Sequence, residues 1–105
     1  ACKMALRQVK FDRAAKISAY RMQGTWEWLR DKPKRALYWW QRSLDAASAL
    51  EARYELGFTY LEMGKFLGDC GYLEKAESIF KDLGTKFDWM QAQKLLQQRK
   101  SQPTP

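Results

Sequence analysis

Residues able to do chemistry are sparse in this chain. Glu51, Glu55 and Glu62 follow one another at four and seven residues, with Arg53 among them. Carboxylates in a row could act as general acid and base, but this spacing also sets them along one solvated helix face, which is the reading taken. Histidine is absent (His 0), which removes the commonest general base and every Ser-His or Cys-His nucleophile. The two cysteines, Cys2 and Cys70, are far apart, and two thiols without histidine fall short of the four N or S ligands of structural zinc. They are read as reduced thiols; a Cys2–Cys70 disulfide is the alternative. Asp69 beside Cys70 opposes the thiolate that a following helix N-terminus would favour, so Cys70 is taken as a bystander. Between Gly57 and Gly64-Lys65 lie six residues where a phosphate-binding loop has four, and Phe66 stands where a Mg²⁺-binding hydroxyl belongs. No catalytic residue, metal or cofactor is expected.

The elements holding these residues read as one small domain. Of the 105 residues 46% are hydrophobic and 30% charged, a globular balance. No run approaches the roughly 20 apolar residues of a membrane span, and no signal-peptide pattern opens the chain. A cytoplasmic domain is expected. The net charge of +7 is uneven: residues 1–35 carry ten Lys/Arg against three Asp/Glu, 36–84 five against eight, and 85–105 four against one. A basic first third beside an acidic middle suits oriented docking on protein surfaces as well as nucleic-acid contact.

Sliding the sequence along itself gives one informative offset, of 40 residues. Tyr20 then falls on Tyr60, Gly24 on Gly64, Ala36 on Ala76 and Trp40 on Phe80. An aromatic and a Gly one turn apart share a helix face, and the missing side chain lets a partner helix approach. A mid-helix Gly costs about 1 kcal/mol against Ala, so two at matching positions imply a packing reason. This pattern resembles the tetratricopeptide repeat. Met63 and Leu67 add apolar signature positions in the second unit, and Gly71 stands at the usual turn. The first unit departs: Gln23 and Glu27 replace large apolar residues, and Asp31 replaces the turn Gly. Both units lack the closing Pro, and the period exceeds the family's.

The resulting expectation is an all-α fold, with two antiparallel helical hairpins of a superhelix at 11–48 and 50–84 and a capping helix at 85–99. Residues 1–10 are expected to end a preceding helix or form a linker, and 101–105 a flexible tail, with the repeat domain spanning 11–100. Individual helices are expected at about 12–30, 33–48, 50–67, 72–83 and 85–99. Pro33 would open the second, Gly68–Gly71 would turn after the third, and Gly84 would stop the fourth. Thr85 with Asp88 reads as a capping box for the fifth. There Phe87, Met90, Leu95 and Leu96 would cover the last hairpin, while Gln91, Gln93, Gln97, Gln98 and Arg99 face water. The carboxyl end thus looks finished and the amino end open, as in a C-terminal fragment of a longer protein.

A narrower likeness rests on Gly24, Lys34, Arg35, Ala36, Leu37, Trp40, Tyr54, Glu55, Leu56, Gly57, Ala76, Ile79, Phe80, Leu83 and Gly84. These are similar to the terminal helical repeats of large multidomain signalling ATPases, some bearing nucleotide cyclase or kinase domains. The likeness implies a non-catalytic regulatory or scaffolding array that contacts proteins, peptides or other domains of its parent chain; self-association through the open amino end is left as an open alternative. By family register the concave groove would be lined by Ser18, Arg21, Thr25, Trp28, Phe58, Leu61 and Lys65. Family members that clamp a terminal carboxylate use Lys and Asn there, and this chain has no Asn. Among Trp26, Trp28, Trp39, Trp40 and Trp89, neighbours cannot point the same way, so at least one is expected in a seam or on the surface as a partner anchor. The alternative function is nucleic-acid binding by Lys10, Arg13, Lys16, Arg30, Lys32, Lys34 and Arg35. It is disfavoured, because no DNA- or RNA-binding motif accompanies them.

Overall fold

The computed structural model describes the backbone of residues 2–101 and the side chains of residues 15–99. Five helices follow in order: α1 (Cys2–Leu29), α2 (Pro33–Ala49), α3 (Arg53–Leu67), α4 (Cys70–Leu83) and α5 (Lys86–Ser101). The described residues contain no strand, so the fold is all-α. Connections of only two or three residues turn each helix back against the one before it. α1 packs along α2, α3 along α4, and α5 on α4, while α3 touches both α1 and α2 and so joins the two hairpins.

The C-terminal ends of α1, α2, α3 and α4 share one device. After α1, the amide of Asp31 bonds the Trp28 carbonyl and that of Lys32 the Glu27 carbonyl. After α2, Glu51 bonds Ser48 and Ala52 bonds Ala47; after α4, Gly84 bonds Lys81 and Thr85 bonds Phe80. After α3, Gly68 and Asp69 both bond the Gly64 carbonyl. Each pair satisfies carbonyls left over at a helix end and requires one residue in the left-handed region. Gly68 (φ 69°) and Gly84 (φ 74°) take it without a Cβ clash, whereas Asp31 (φ 63°) and Glu51 (φ 54°) take it at a cost. Pro33 opens α2, where its fixed φ suits and its missing N–H is not needed.

Inward positions repeat at a spacing of three, one and three residues. In α1 they are Tyr20, Gln23, Gly24 and Glu27; in α3 they are Tyr60, Met63, Gly64 and Leu67. The same spacing returns in α5 as Trp89, Ala92, Gln93 and Leu96, all buried or half-buried. Close approach explains both repeat glycines. A Cβ on Gly24 would stand 2.4 Å from Trp40 Cδ1, and one on Gly64 would stand 2.6 Å from Leu73 Cγ. Trp40 is fully buried with Ala36, Leu44 and Met63, and it packs between Trp28 (5.9 Å between centroids) and Phe66 (6.2 Å). A second core gathers Ala76, Phe80 and Ala92. Tyr60 packs against both cores. A buried polar link crosses between the hairpins, where Ser43 Oγ lies 2.8 Å from the Ile17 carbonyl and 2.9 Å from Thr59 Oγ1.

Several boundaries and faces differ from the sequence expectation. α1 starts at Cys2 and not near residue 12, so the backbone of residues 2–10 is the first part of α1 and not the end of a separate helix. Residues 50–52 form the turn before α3, which therefore begins at Arg53. Gly71 lies in the first turn of α4, because Asp69 Oδ1 caps that helix by accepting its amide at 2.8 Å. The Thr85 hydroxyl bonds backward to the Phe80 carbonyl at 3.3 Å, so Thr85 and Asp88 form no capping box. On α5, Phe87 (73% exposed) and Met90 (61%) face solvent, while Trp89 and Ala92 turn inward. The repeating register wins over the apolar count: once Trp89, Ala92 and Leu96 seat on α4, Phe87 and Met90 must lie on the other side. Ser101 closes α5, and tail residues 102–105 lie outside the described residues.

Candidate functional site

An open groove of about 690 Å³ runs between α1 and α3, lined by Ala19, Arg21, Met22, Thr25, Trp26, Leu29, Phe58 and Glu62 among others. Helical spacing puts Met22, Trp26 and Leu29 on one side of α1, and all three are exposed although apolar. Polar pairs fix the distance between the groove walls. Arg21 Nη1 donates to Glu55 Oε2 at 2.9 Å, with Ser18 Oγ 3.4 Å from the same oxygen. The Arg21 guanidinium also lies 4.4 Å from the Phe58 ring centroid, within cation–π reach. One turn further, Thr25 Oγ1 lies 2.8 Å from Glu62 Oε2.

The groove residues read from the sequence are thus only partly brought together. Arg21, Thr25 and Phe58 line one groove, and Ser18 joins its polar wall through Glu55. Trp28 is turned away, half-buried against Trp40 in the first core. Leu61 packs on the second core with Phe80 and Ala92. Lys65 is exposed beside a different hollow, formed with Leu73, Leu95 and Arg99. Met22, Trp26 and Leu29 were missed as groove residues, though their spacing of four and three on one helix face carried the signal. Of the signature residues, Gly24, Ala36, Trp40, Gly64, Ala76 and Phe80 are buried, and Tyr20 and Tyr60 half-buried. Trp26 is an exposed tryptophan of the kind expected, with Arg30 stacked 4.4 Å from its ring centroid.

The departures of the first unit have a visible result. Glu27 is buried; its Oε1 accepts from Gln23 Nε2 at 3.3 Å and lies 4.0 Å from Arg30 Nη1. Its Oε2 and the Trp40 Nε1 are buried without a hydrogen-bond partner. In the second unit the corresponding positions, Met63 and Leu67, are apolar.

Away from the groove, Tyr20 of α1 and Tyr38, Trp39 and Arg42 of α2 form an aromatic plate. Tyr20 stacks on Trp39 at 5.8 Å, and Tyr38 meets Trp39 edge-on at 5.2 Å. Arg42 donates to Tyr38 Oη at 2.8 Å and to Tyr20 Oη at 3.3 Å. The Tyr38 bond, then the Tyr20 bond, push this guanidinium above its ordinary pKa. On α3, the hydrogen bond from Tyr54 to the Asp88 carboxylate, followed by partial burial, raises the Tyr54 phenol above its usual value.

Among the described residues no group of three or more His, Cys, Asp or Glu is clustered as a metal would require. Cys70 is a half-buried free thiol at the start of α4. Of the basic stripe, Lys10 and Arg13 lie outside the described side chains; Lys16, Lys34 and Arg35 are exposed, and Arg30 is held by Trp26 and Glu27. No described helix is long and apolar enough to cross a membrane. Comparison with protein-family models, with curated proteins and with solved structures finds no match for this chain.

Proposed function

We propose that this chain is a non-catalytic protein–protein interaction module of tetratricopeptide-like architecture, acting in the cytoplasm as the regulatory or scaffolding part of a larger signalling protein. The observation that carries the interaction reading is the groove between α1 and α3. Met22, Trp26 and Leu29 stand exposed along it, over walls held apart by Arg21–Glu55 and Thr25–Glu62. Exposed apolar side chains rimmed by polar pairs suit the capture of a peptide or helix, since burying them releases water while the rim sets orientation. The paired glycine contacts at Gly24 and Gly64 and the inward spacing shared by α1, α3 and α5 support the repeat reading. Placement in a protein of the ATPase or nucleotide-cyclase type rests on the sequence resemblance alone.

Selection from a random peptide library tests this. Peptides enriched on the wild-type chain should lose about tenfold or more in affinity on Trp26→Ala or Met22→Glu, both exposed sites where folding is little affected. A library that yields no peptide sensitive to either change would sink the groove reading.

A further inference from the structure

The aromatic plate is built from α1 and α2 alone. Trp40, Ser43 and Leu44 are buried α2 residues that meet α3, whereas Tyr38, Arg42 and Ala49 on other faces of the helix are exposed. Arg42 is the focus of this outer seam. Its guanidinium lies 4.9 Å from the Tyr20 ring centroid, 5.6 Å from Tyr38 and 5.7 Å from Trp39, so three rings hold one cation. Two phenol oxygens take one hydrogen bond each and leave three of its five N–H donors uncommitted. Among the described residues no carboxylate lies within 4.0 Å of it. A flexible exposed Arg would lose rotamer freedom on meeting a ligand; this one is already held in place.

One turn along α2, a pocket of about 260 Å³ opens, lined by Lys16, Tyr20, Ala46, Ala49 and Leu50. Its floor is apolar, and Lys16 is a second cation at its edge. Tyr20 belongs to both the plate and the pocket, so a fixed guanidinium and an apolar socket lie side by side.

We propose that this outer α1–α2 seam docks an acidic amphipathic segment of a protein partner, with a Glu or Asp carboxylate on Arg42 and an aliphatic side chain in the Ala46–Ala49–Leu50 pocket. Charge complementarity selects the acidic residue, because both cations at the seam lack a carboxylate within the described structure. The socket selects an apolar neighbour, which a phosphate backbone does not supply. This surface is separate from the α1–α3 groove and stands or falls without it.

Fluorescence anisotropy on the whole chain provides the test, with a short labelled amphipathic peptide of Leu and Glu as the probe. The same peptide with Lys for Glu, and a labelled single-stranded oligonucleotide, serve as comparisons. The Leu/Glu peptide should bind, and Arg42→Gln should weaken it by about tenfold or more, the scale of a lost charge-assisted pair. Leu50→Glu, which places a like charge in the socket without touching the plate, should weaken it similarly even if Arg42→Gln loosens the hairpin. Equal binding of the Lys peptide, tighter binding of the oligonucleotide, or indifference to both substitutions would overturn the proposal. So would sedimentation showing the chain alone self-associating through Arg42, since a second copy would then be the occupant.

Discussion

Glu51 holds a left-handed backbone, φ 54°, at a position where α3 and α4 end on glycine. Its Cβ crowds the following carbonyl, at about 1–2 kcal/mol for an L-residue, partly offset because Gly loses more freedom on folding. Glu51→Gly should therefore stabilise the chain by about 0.5–1 kcal/mol, read as a rise in the urea midpoint at unchanged slope. The sequence carried no sign of this position, because any residue can be forced left-handed when neighbouring helices fix the turn. Gly84 was legible for the opposite reason: a Gly just past an apolar-periodic run signals a helix stop. Gly24 and Gly64 were legible only through their repetition, since a single mid-helix Gly says little about what packs on it.

At the scale of the element, α5 separates what composition suggests from what register decides. Phe87 and Met90 look like core residues in a list of side chains, yet Trp89, Ala92 and Leu96 fill the inward stations. Phe87→Glu should change stability by less than about 0.5 kcal/mol, as for other exposed sites. Ala92→Glu, which forces a carboxylate against Phe80 and Ala76, should cost about 3 kcal/mol or more. Parallel thermal melts of the two variants check this, and comparable losses would mean that α5 is rotated from the orientation described. Reading the fifth helix in the register of the first and third would have found its inward face. Sorting its residues by polarity hid that register, because it set Phe87 and Met90 against the hairpin. In the groove, likewise, family register identified Arg21, Thr25 and Phe58, but the large exposed side chains lie one position further round α1.

For the molecule as a whole, stability in a stacked architecture divides into contributions of each hairpin and of the seam between them. Gly24→Leu would drive a side chain into Trp40, and Gly64→Leu into Leu73, each an overpacking of about 1–3 kcal/mol. Amide hydrogen exchange should show protection falling first in α1 and α2 for Gly24→Leu, and first in α3 and α4 for Gly64→Leu. A uniform loss in both variants would mean that the hairpins open only together.

The seam between the hairpins holds a small ambiguity with a practical consequence. Ser43 and Thr59 have two hydroxyl hydrogens for three short contacts, to the Ile17 carbonyl, to each other and to the Glu55 carbonyl at 3.0 Å. The chain can therefore point from Thr59 through Ser43 to Ile17, or from Ser43 through Thr59 to Glu55, but not both. Hydroxyl protons in water exchange too fast to observe, whereas a fully enclosed pair is shielded from it. These two protons are a built-in gauge: the lifetime of their magnetic resonance signals would report how often the two hairpins part.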